Sequence, residues 1–570
     1  MEAGKKSIND IFNGNRILEI PFFQRAYVWE EEQWERLLQD MEMVTEFNSH
    51  YFLGSIILKQ KSTVTNQNVG DIRTIIDGQQ RLTTLSIFFK VLCLKKNDNV
   101  SFNRVFKLMN NKTAIDHNHN DIENFNKIME LENEDNIETI CNVTGAYNYF
   151  SKEINLDKVN FQTILSKVMF VSIDLGENED EQQIFDTINS LGVRLTTAEL
   201  LKNYFFDRND LGSYETYWKS IFEKDLETKS FWDKEITAGR ISRNNIDLFF
   251  YSYLQIKLQD QKLKVKTDDK KRLSKVEGLF ESYKEFIKKY EISKDDMIKE
   301  IKKFALLYKE NIDFGVVDTV LTNEYGIERI NAIIFGLDNT TIIPYVLYVL
   351  KNVNDINEKN EIFKYLESYI MRRIVTHATN KNYNYLFSDE LISNQCLTAS
   401  NLRDIIEKKS DKENYMPTDH DLGKGFHESK LINKQAKGIL YFIETCVRDR
   451  NRHSTTLLGL QKYSLEHIMP KKWENNWKDN LSTEEKNERN RILLTFGNLT
   501  IITSSLNKSI RDSSWNVKKE GTINKPGLNI YASGLETFSH YLSKEFWNEE
   551  TIKDRANFLF DKSKNVWPYK

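Results

Sequence analysis

The sequence contains little proline, glycine or cysteine. Six prolines and 22 glycines in 570 residues favour helices over turn-rich β structure. No apolar run reaches the length of a transmembrane helix, and residues 1–10 lack the apolar core of a signal peptide, so we expect a cytoplasmic protein. The cysteines lie far apart and form no Cys-x-x-Cys motif, which argues against a disulfide framework or a cysteine zinc site. They are Cys93, Cys141, Cys396 and Cys446.

An excess of basic residues is also missing. Lys and Arg number 80 against 84 Asp and Glu, and the formal net charge is −4. General attraction to nucleic acid is therefore weak, and any DNA binding must come from local patches. One candidate patch lies between residues 430 and 452, and a solvated helix face explains it equally well. Its basic residues are Lys430, Lys434, Lys437, Arg448, Arg450 and Arg452.

The composition and length predict a folded protein of two to four domains, because 570 residues exceed a single hydrophobic core. The fold class we expect is α+β, mostly helical overall. Residues 1–210 alternate strand-like and helix-like segments, residues 211–430 carry helical patterns, and residues 431–570 form a C-terminal domain. A polar, turn-rich stretch at 408–430 is interpreted as the linker before that domain.

Particular elements can be placed along the chain. We predict helices over residues 30–44, 79–94 and 279–290, the last with an apolar stripe that is core. Strands are predicted over 16–29, 51–58, 71–77 and 166–175.

Three segments near the C-terminus have the order strand, strand, turn and short helix: "YSLEHIMP" (463–470), "GNLTIIT" (497–503) and "SSLNKSIRDSSWNVKK" (504–519). With a histidine on the first and asparagines on the later segments, this is the layout of a ββα-metal (HNH) nuclease. Phosphodiester hydrolysis needs a base such as neutral histidine and a hard divalent cation held by oxygen ligands. A lone histidine beside an apolar segment is more often structural, and it is the polar residues at these spacings that favour catalysis.

The stretch "LEHIMPKKW" (465–473), followed by "LLTFGNLTIITSSLNKSIRDSSWNVKK" (493–519), closely resembles the HNH domain of GmrSD-type modification-dependent (type IV) restriction endonucleases. The resemblance implies a divalent metal, Mg²⁺ or Mn²⁺. Asp512 stands where that family more often has asparagine. The roles implied are general base for His467, metal ligand for Glu466 and Asn507, orientation of the histidine for Asn498 and phosphate contact for Lys518.

A second motif, "IIDGQQRLTTL" (75–85), reads as a strand, a tight Asp77-Gly78 turn and a helix opened by Gln79, Gln80 and Arg81. Free N–H groups at a helix start bind anions, and an arginine fork suits phosphate. Turns of this kind are also common as purely structural features, and no P-loop is present.

One further polar stretch, "DHNHND" (116–121), lacks an apolar framework that would fix a metal, so we interpret it as a polar loop.

The motif "IIDGQQRLTTL" (75–85) and three other stretches resemble the GmrS domain of the same family, which is similar to ParB. These stretches are "IPFFQRAYVWEEEQW" (20–34), "YFLGSIIL" (51–58) and "FDTINSLGVRLTTAELLKNYFF" (185–206). The stretch "YLESYIMRRIVTH" (365–377) is similar to the family's central helical region. The resemblance implies a ParB-like α/β domain with a nucleoside triphosphate (NTP) site. Its residues would be Asp77, Gly78, Gln79, Gln80 and Arg81, with Gln24 and Arg25 opposite.

The leading hypothesis is an NTP-regulated, metal-dependent HNH endonuclease with NTPase activity that cuts foreign, modified DNA in bacterial antiviral defence. One alternative is a ParB-like, nucleotide-switched DNA-binding protein with a vestigial nuclease. Another is an HNH nuclease that acts on RNA. The expected partners are DNA and an NTP, without a membrane, and a homodimer is left open. The sequence does not select the DNA modification, the NTP or the sign of its effect.

Overall fold

The structure, a computed structural model, divides into two compact units, Met1–Thr216 and Tyr217–Lys570. Within the part of the chain that it describes, no helix combines the length and apolarity needed to cross a membrane. The described residues are 2–12, 16–21, 26–61, 71–176, 196–206, 208–238, 241–275, 278–409, 413–448, 456–477, 480–532 and 534–569.

A mixed sheet forms the centre of the N-terminal unit. Its strands are β1 (Glu2–Ser7), β2 (Arg16–Glu19), β3 (Tyr51–Gln60), β4 (Asp71–Asp77), β5 (Ile115–Asp116) and β6 (Val168–Leu175). In space they follow the order β1, β6, β3, β4, β2, β5. The pairs β6–β3, β4–β2 and β2–β5 are parallel, whereas β1–β6 and β3–β4 are antiparallel. Strand β4 is therefore paired on both edges, and its last residue, Asp77, stands directly before a helix start.

That helix is the central helix of the unit. It spans Gln79–Lys95, and every residue from Leu82 to Leu94 is buried, as expected for a helix that is apolar on all sides. The helices of this unit are α1 (Ile8–Ile11), α2 (Glu31–Phe47), α3 (Gln79–Lys95), α4 (Asn99–Phe106), α5 (Ile122–Glu130), α6 (Asn142–Glu153), α7 (Phe161–Lys167), α8 (Thr197–Phe205) and α9 (Leu211–Tyr214). A short 3₁₀ turn, Arg208–Asp210, precedes α9.

The C-terminal unit begins with a region of helices and one small hairpin. The helices are α10 (Ser220–Phe222), α11 (Leu226–Asp233), α12 (Asn245–Leu258), α13 (Thr267–Leu273), α14 (Leu279–Lys289), α15 (Lys294–Asn311), α16 (Ile327–Gly336), α17 (Ile343–Asn352), α18 (Ile356–Val375), α19 (Tyr383–Tyr385), α20 (Leu391–Ser393), α21 (Ala399–Glu407), α22 (Asp419–Glu428) and α23 (Asn433–Val447). The hairpin pairs β7 (Glu235–Ala238) with β8 (Ile241–Asn244).

Short strands and helices follow in the last third of the chain. They are β9 (Tyr463–His467), α24 (Thr483–Ile492), β10 (Leu499–Thr503), α25 (Ser504–Ile510), α26 (Trp515–Glu520), β11 (Gly521–Thr522), β12 (Lys525–Pro526), α27 (Leu528–Tyr531) and α28 (Glu549–Val566). A 3₁₀ turn, Phe496–Asn498, leads directly into β10.

The end of the chain is fixed to helix α18 by buried hydrogen bonds. Arg372 donates from Nε to the carbonyl oxygen of Trp567 at 2.8 Å, and the Trp567 indole donates to Glu367 at 3.0 Å. Ser368 donates to the carbonyl oxygen of Pro568 at 2.6 Å. The second compact unit thus contains both the predicted helical region and the predicted C-terminal domain, and the division at residue 430 stays a prediction.

The α+β, mostly helical fold class is confirmed. The predicted strand over 16–29 is wrong beyond Glu19, and residues 22–25 lie outside the described residues. The Asp121 carboxylate accepts from the main-chain N–H of Tyr27, and the Gln80 amide oxygen from that of Val28, so side chains take the place of a neighbouring strand.

Two further segments also differ from the sequence-based expectation. The predicted linker at 408–430 contains helix α22, which buries Leu422 and Phe426. The segment 504–519, predicted as a turn and one short helix, carries two helices, α25 and α26.

Candidate functional site

Strands β9 and β10 place the predicted catalytic residues next to one another. The two strands are antiparallel, with His467 opposite Leu499 and Glu466 opposite Thr500. Because β10 runs straight into α25, the strand pair and the helix form one ββα unit, as predicted. Asn507 on α25 donates from Nδ2 to the carbonyl oxygen of Leu465 at 3.0 Å, which fixes the helix beside β9.

Asn498 is fully buried and makes all its side-chain hydrogen bonds inside the protein. Its Oδ1 accepts from the main-chain N–H of Met469 at 2.8 Å, and its Nδ2 donates to the carbonyl oxygen of the same residue at 2.8 Å. Its own carbonyl oxygen accepts from Ile468 N–H at 3.0 Å. Asn498 therefore holds the two residues that follow His467 through the main chain, and the imidazole ring itself is not among its hydrogen-bond partners.

Glu466 and Lys518 form a buried ion pair. Lys518 Nζ donates to Glu466 Oε1 and, at 2.9 Å, to the carbonyl oxygen of His467. Glu466 is 5% exposed and Lys518 is 0% exposed. Burial raises the pKa of the Glu466 carboxyl group, although the lysine charge opposes this shift. The structure thus directs the Lys518 ammonium group at Glu466 and away from solvent, and its predicted phosphate contact stays a prediction.

The His467 ring is half-buried and makes no hydrogen bond with another described residue. Burial, together with the positive charges of Lys471 and Lys518, lowers the pKa of His467 to about 4. The imidazole is therefore neutral at pH 7 and able to accept a proton.

Two oxygen donors, one on the strand that carries this histidine and one bonded to that strand, suit a hard divalent cation. Glu466 supplies a carboxylate, and Asn507 keeps its Oδ1 for a ligand because only its Nδ2 is bonded within the described residues. The described part of the chain contains no group of three or more His, Cys, Asp or Glu side chains that could hold a metal ion. A metal ion here would need further ligands from water or substrate oxygens, as Mg²⁺ usually has in proteins.

The N-terminal motif is arranged differently, because its side chains mostly bind neighbouring parts of the main chain. Gln80 accepts from the N–H groups of Val28 and Trp29 at 2.9 and 3.3 Å and donates to the carbonyl oxygen of Ala26 at 3.3 Å. Gly78 has φ +103°, and a Cβ there would lie 2.5 Å from Ile56 Cγ2. Glycine is therefore needed for the turn and for its packing on β3.

Asp77 and Arg81 are the residues of this motif that remain partly exposed, whereas Gly78, Gln79 and Gln80 are buried. Arg81 Nη2 donates to Asp77 Oδ2 at 3.0 Å. A Cβ at Gly54 on β3 would lie 2.2 Å from Arg81 Nη1, so the guanidinium group rests directly on the Gly54 main chain. The predicted partners Gln24 and Arg25 lie outside the described residues.

Residues 117–121 form a polar loop after β5, as predicted, but the side chains of His117, Asn118 and Asp121 are buried. His117 is 0% exposed, and its Nδ1 accepts from the main-chain N–H of Asn118 at 3.0 Å. Its Nε2 then carries the proton and donates to Thr83 Oγ1 at 2.9 Å. Burial lowers the pKa of His117 to about 3, which makes it a neutral structural histidine.

Two residues at the C-terminal site have no signal in the sequence motif. Trp547 donates from Nε1 to Asn498 Oδ1 at 2.9 Å, and Arg555 on α28 binds main-chain carbonyl groups around Asn498. Both lie outside the three motif segments, so spacing along the chain could not identify them.

The predicted basic patch at 430–452 is only partly an open face. Lys434 pairs with Asp338 at 2.5 Å, and Lys437 is half-buried and donates to the carbonyl oxygen of Tyr463 at 3.2 Å. Arg448 donates to the carbonyl oxygen of Gly534. Arg450 and Arg452 lie outside the described residues.

Comparison with protein families connects both sites to one kind of enzyme. The model of the GmrSD restriction endonuclease N-terminal domain matches residues 8–206, which include β4 and the start of α3. The model of the GmrSD restriction endonuclease C-terminal domain matches residues 416–562, which include β9, β10 and α25. A comparison with curated proteins finds no match. The two domains occur in one chain in the expected order, and the protein therefore belongs to the GmrSD restriction endonuclease family.

Proposed function

We propose that this restriction endonuclease cuts foreign, modified DNA at an HNH-type, metal-dependent site, and that an NTP bound in the N-terminal unit regulates the cutting. The observation that carries the proposal is the ββα unit, in which a neutral His467 follows Glu466 on β9 and Asn507 of α25 is bonded to the main chain of the same strand. A restriction endonuclease acts on DNA, and the unit has the residue types that phosphodiester hydrolysis needs.

In the proposed mechanism, His467 takes a proton from the attacking water. Its low pKa keeps the ring able to do so at neutral pH, and Asn498 fixes its position through the main chain of residues 468 and 469. Glu466 and Asn507 would hold Mg²⁺ or Mn²⁺, which supplies charge stabilisation at the scissile phosphate when bound. The positive charge of Lys518 opposes the effect of burial and favours the ionised form of the Glu466 carboxyl group.

The NTP part of the proposal rests on the start of α3. The partly exposed Asp77–Arg81 pair is the group that a phosphate can reach, since the Gln80 side chain is bonded to the main chain of residues 26, 28 and 29. An arginine fork next to the N-terminus of a 17-residue helix is suited to phosphate oxygens. In this proposal Gln24 and Arg25 complete the site.

The proposal is tested by incubating the full chain with supercoiled plasmid, glucosylated or phosphorothioated DNA, and an RNA of matched sequence. Each substrate is combined with Mg²⁺, Mn²⁺ or EDTA, with and without NTP. We expect metal-dependent cleavage of DNA, and a loss of about 10²–10⁴-fold in rate for His467→Ala, since a positioned general base contributes this much.

A matched control is His540→Ala, because His540 is an exposed histidine of the same compact unit that lies outside β9, β10 and α25 and pairs with Glu536. Wild-type cleavage by His467→Ala would overturn the HNH assignment. Cleavage of RNA alone would favour the RNA nuclease, and DNA binding without any cleavage would favour the vestigial nuclease.

A further inference from the structure

The turn that carries Asn498 is hydrogen-bonded by a residue of helix α28. Arg555 on α28 is fully buried, and its Nη1 donates to three main-chain carbonyl groups of this turn. The acceptors are the carbonyl oxygens of Phe496 at 3.1 Å, Gly497 at 2.9 Å and Leu499 at 2.7 Å. One guanidinium nitrogen therefore binds the residues on both sides of Asn498.

The same turn touches α28 directly through its main chain. A Cβ at Gly497 would lie 2.0 Å from the carbonyl oxygen of Ile552, so only glycine permits this approach. Trp547, just before α28, donates to Asn498 Oδ1 from the same side. The turn is thus enclosed between residues 468 and 469, which Asn498 binds, and α28 with its preceding loop.

Helix α28 is itself anchored at both ends, so it can serve as a fixed support. At its start, Glu549 pairs with the buried Arg489 of α24. At its end, the carbonyl oxygen of Val566 accepts from the Tyr325 hydroxyl at 2.6 Å, and Trp567 is bound by Glu367 and Arg372 of α18. Any movement of α28 must therefore move the turn or break its carbonyl contacts.

We propose that Arg555 is a positioning residue of the nuclease site, which sets the turn 496–499 and, through Asn498, the place of His467. This inference rests on the proposed function, because it assumes that His467 is the base. Arg555 acts at a distance and touches neither His467 nor the oxygen donors. Misplacing a catalytic group by about 1 Å can reduce a rate about 10²-fold, so a small shift of the turn is enough.

The first experiment compares Arg555→Lys with Arg373→Lys in the full chain. Both replace a buried arginine that donates to main-chain carbonyl groups, but the acceptors of Arg373 belong to residues 379, 413 and 415 and not to the turn or α28. Nicking of supercoiled plasmid with Mn²⁺ is measured for kcat and KM, with DNA affinity by anisotropy and unfolding by urea. We expect kcat to fall at least about tenfold for Arg555→Lys with KM and DNA affinity unchanged, and to stay within about threefold for Arg373→Lys.

A second pair keeps the proposal testable if Arg555→Lys does not fold. Trp547→Phe removes the N–H that binds Asn498, while Trp477→Phe removes an indole N–H that binds the carbonyl oxygen of Ser513. We expect a several-fold lower kcat for Trp547→Phe alone. The double variant with Arg555→Lys should lose less than the product of the single losses, since both residues support one turn.

An unchanged kcat in Arg555→Lys and Trp547→Phe, or equal losses in each variant and its control, would overturn the inference. The proposed function fails separately, through wild-type cleavage by His467→Ala. If that variant is inactive while Arg555→Lys keeps the wild-type kcat, only the positioning role is wrong.

Discussion

His117 in the N-terminal unit and His467 in the C-terminal unit are both kept neutral by burial, but their rings are bonded differently. Both ring nitrogens of His117 have partners, Thr83 and the main chain of Asn118, and the side chain is fully enclosed. The His467 ring is half-buried and without a hydrogen bond to another described residue. A low pKa therefore does not distinguish the two histidines, whereas the hydrogen bonding of their rings does.

The two motifs that the sequence singles out differ in the same way. At the start of α3, Gln80 binds the nearby loop, and Gly78 is required by the turn itself. At the ββα unit, Glu466 precedes His467 on β9 and is bonded by the distant Lys518, and Asn507 is bonded to the main chain of the same strand. The side chains of the first motif mostly stabilise the turn and loop around them, whereas the side chains of the second are held by residues of other elements.

The largest stability effect is expected for Lys518→Met. This change leaves the Glu466 carboxylate buried without its partner, which typically lowers the free energy of unfolding by about 3–5 kcal/mol. Adding Glu466→Gln removes the uncompensated charge, so the double variant should regain most of that stability but remain unable to cut DNA. Urea unfolding and plasmid nicking measure the two effects. A single variant as stable as the wild type would show that the pair is not buried in solution.

Smaller changes in stability are expected for two residues of the N-terminal motif, the partly exposed Arg81 and the buried Gln80. Arg81→Ala should reduce NTP turnover about tenfold or more, with less than about 1 kcal/mol change in stability, because its ion pair with Asp77 is partly exposed. Gln80→Ala should instead lower the free energy of unfolding by about 1–3 kcal/mol, since main-chain groups of residues 26–29 lose their partner.

Phosphate release and urea unfolding are measured side by side for these two variants. Wild-type turnover by Arg81→Ala would place the nucleotide site elsewhere. Lost turnover with unchanged stability in Gln80→Ala would mean that Gln80 contacts the nucleotide itself.

The smallest effect concerns the pH dependence that His117 contributes. Its pKa is lowered to about 3 in the folded chain, against about 6.5 when unfolded, so the unfolded state binds the extra proton between these values. Stability from this residue is complete above pH 6.5 and is lost as the pH falls toward 3, with about 1 kcal/mol lost at pH 5.5.

The variant His117→Gln removes this titration. Between pH 7.5 and 5.5 it should lose about 1 kcal/mol less stability in urea than the wild type. The nearby Asp121, 3.8 Å from the ring, remains in both proteins, so its titration is shared. An identical pH dependence in both proteins would show that His117 is not buried in neutral form.

The sequence by itself determined the elements whose signal is local. Helix α3 and strands β9 and β10 follow from apolar patterns, and the order of His467, Asn498 and Asn507 predicts the ββα unit. Such signals lie within a few residues along the chain, where periodicity and turn chemistry operate. They also gave the family, because its motifs are short, specific and in order.

Only the tertiary structure decided which side chains are buried and what they bind. The stretch 116–121 is polar in sequence, but its His117 is buried and bonded to Thr83 of α3. Lys518 is basic, but it forms a buried ion pair with Glu466. Arg555 reaches the turn around Asn498 from helix α28, at a separation of 58 positions from Gly497. These choices depend on burial and on main-chain partners brought together by folding, and no local pattern encodes them.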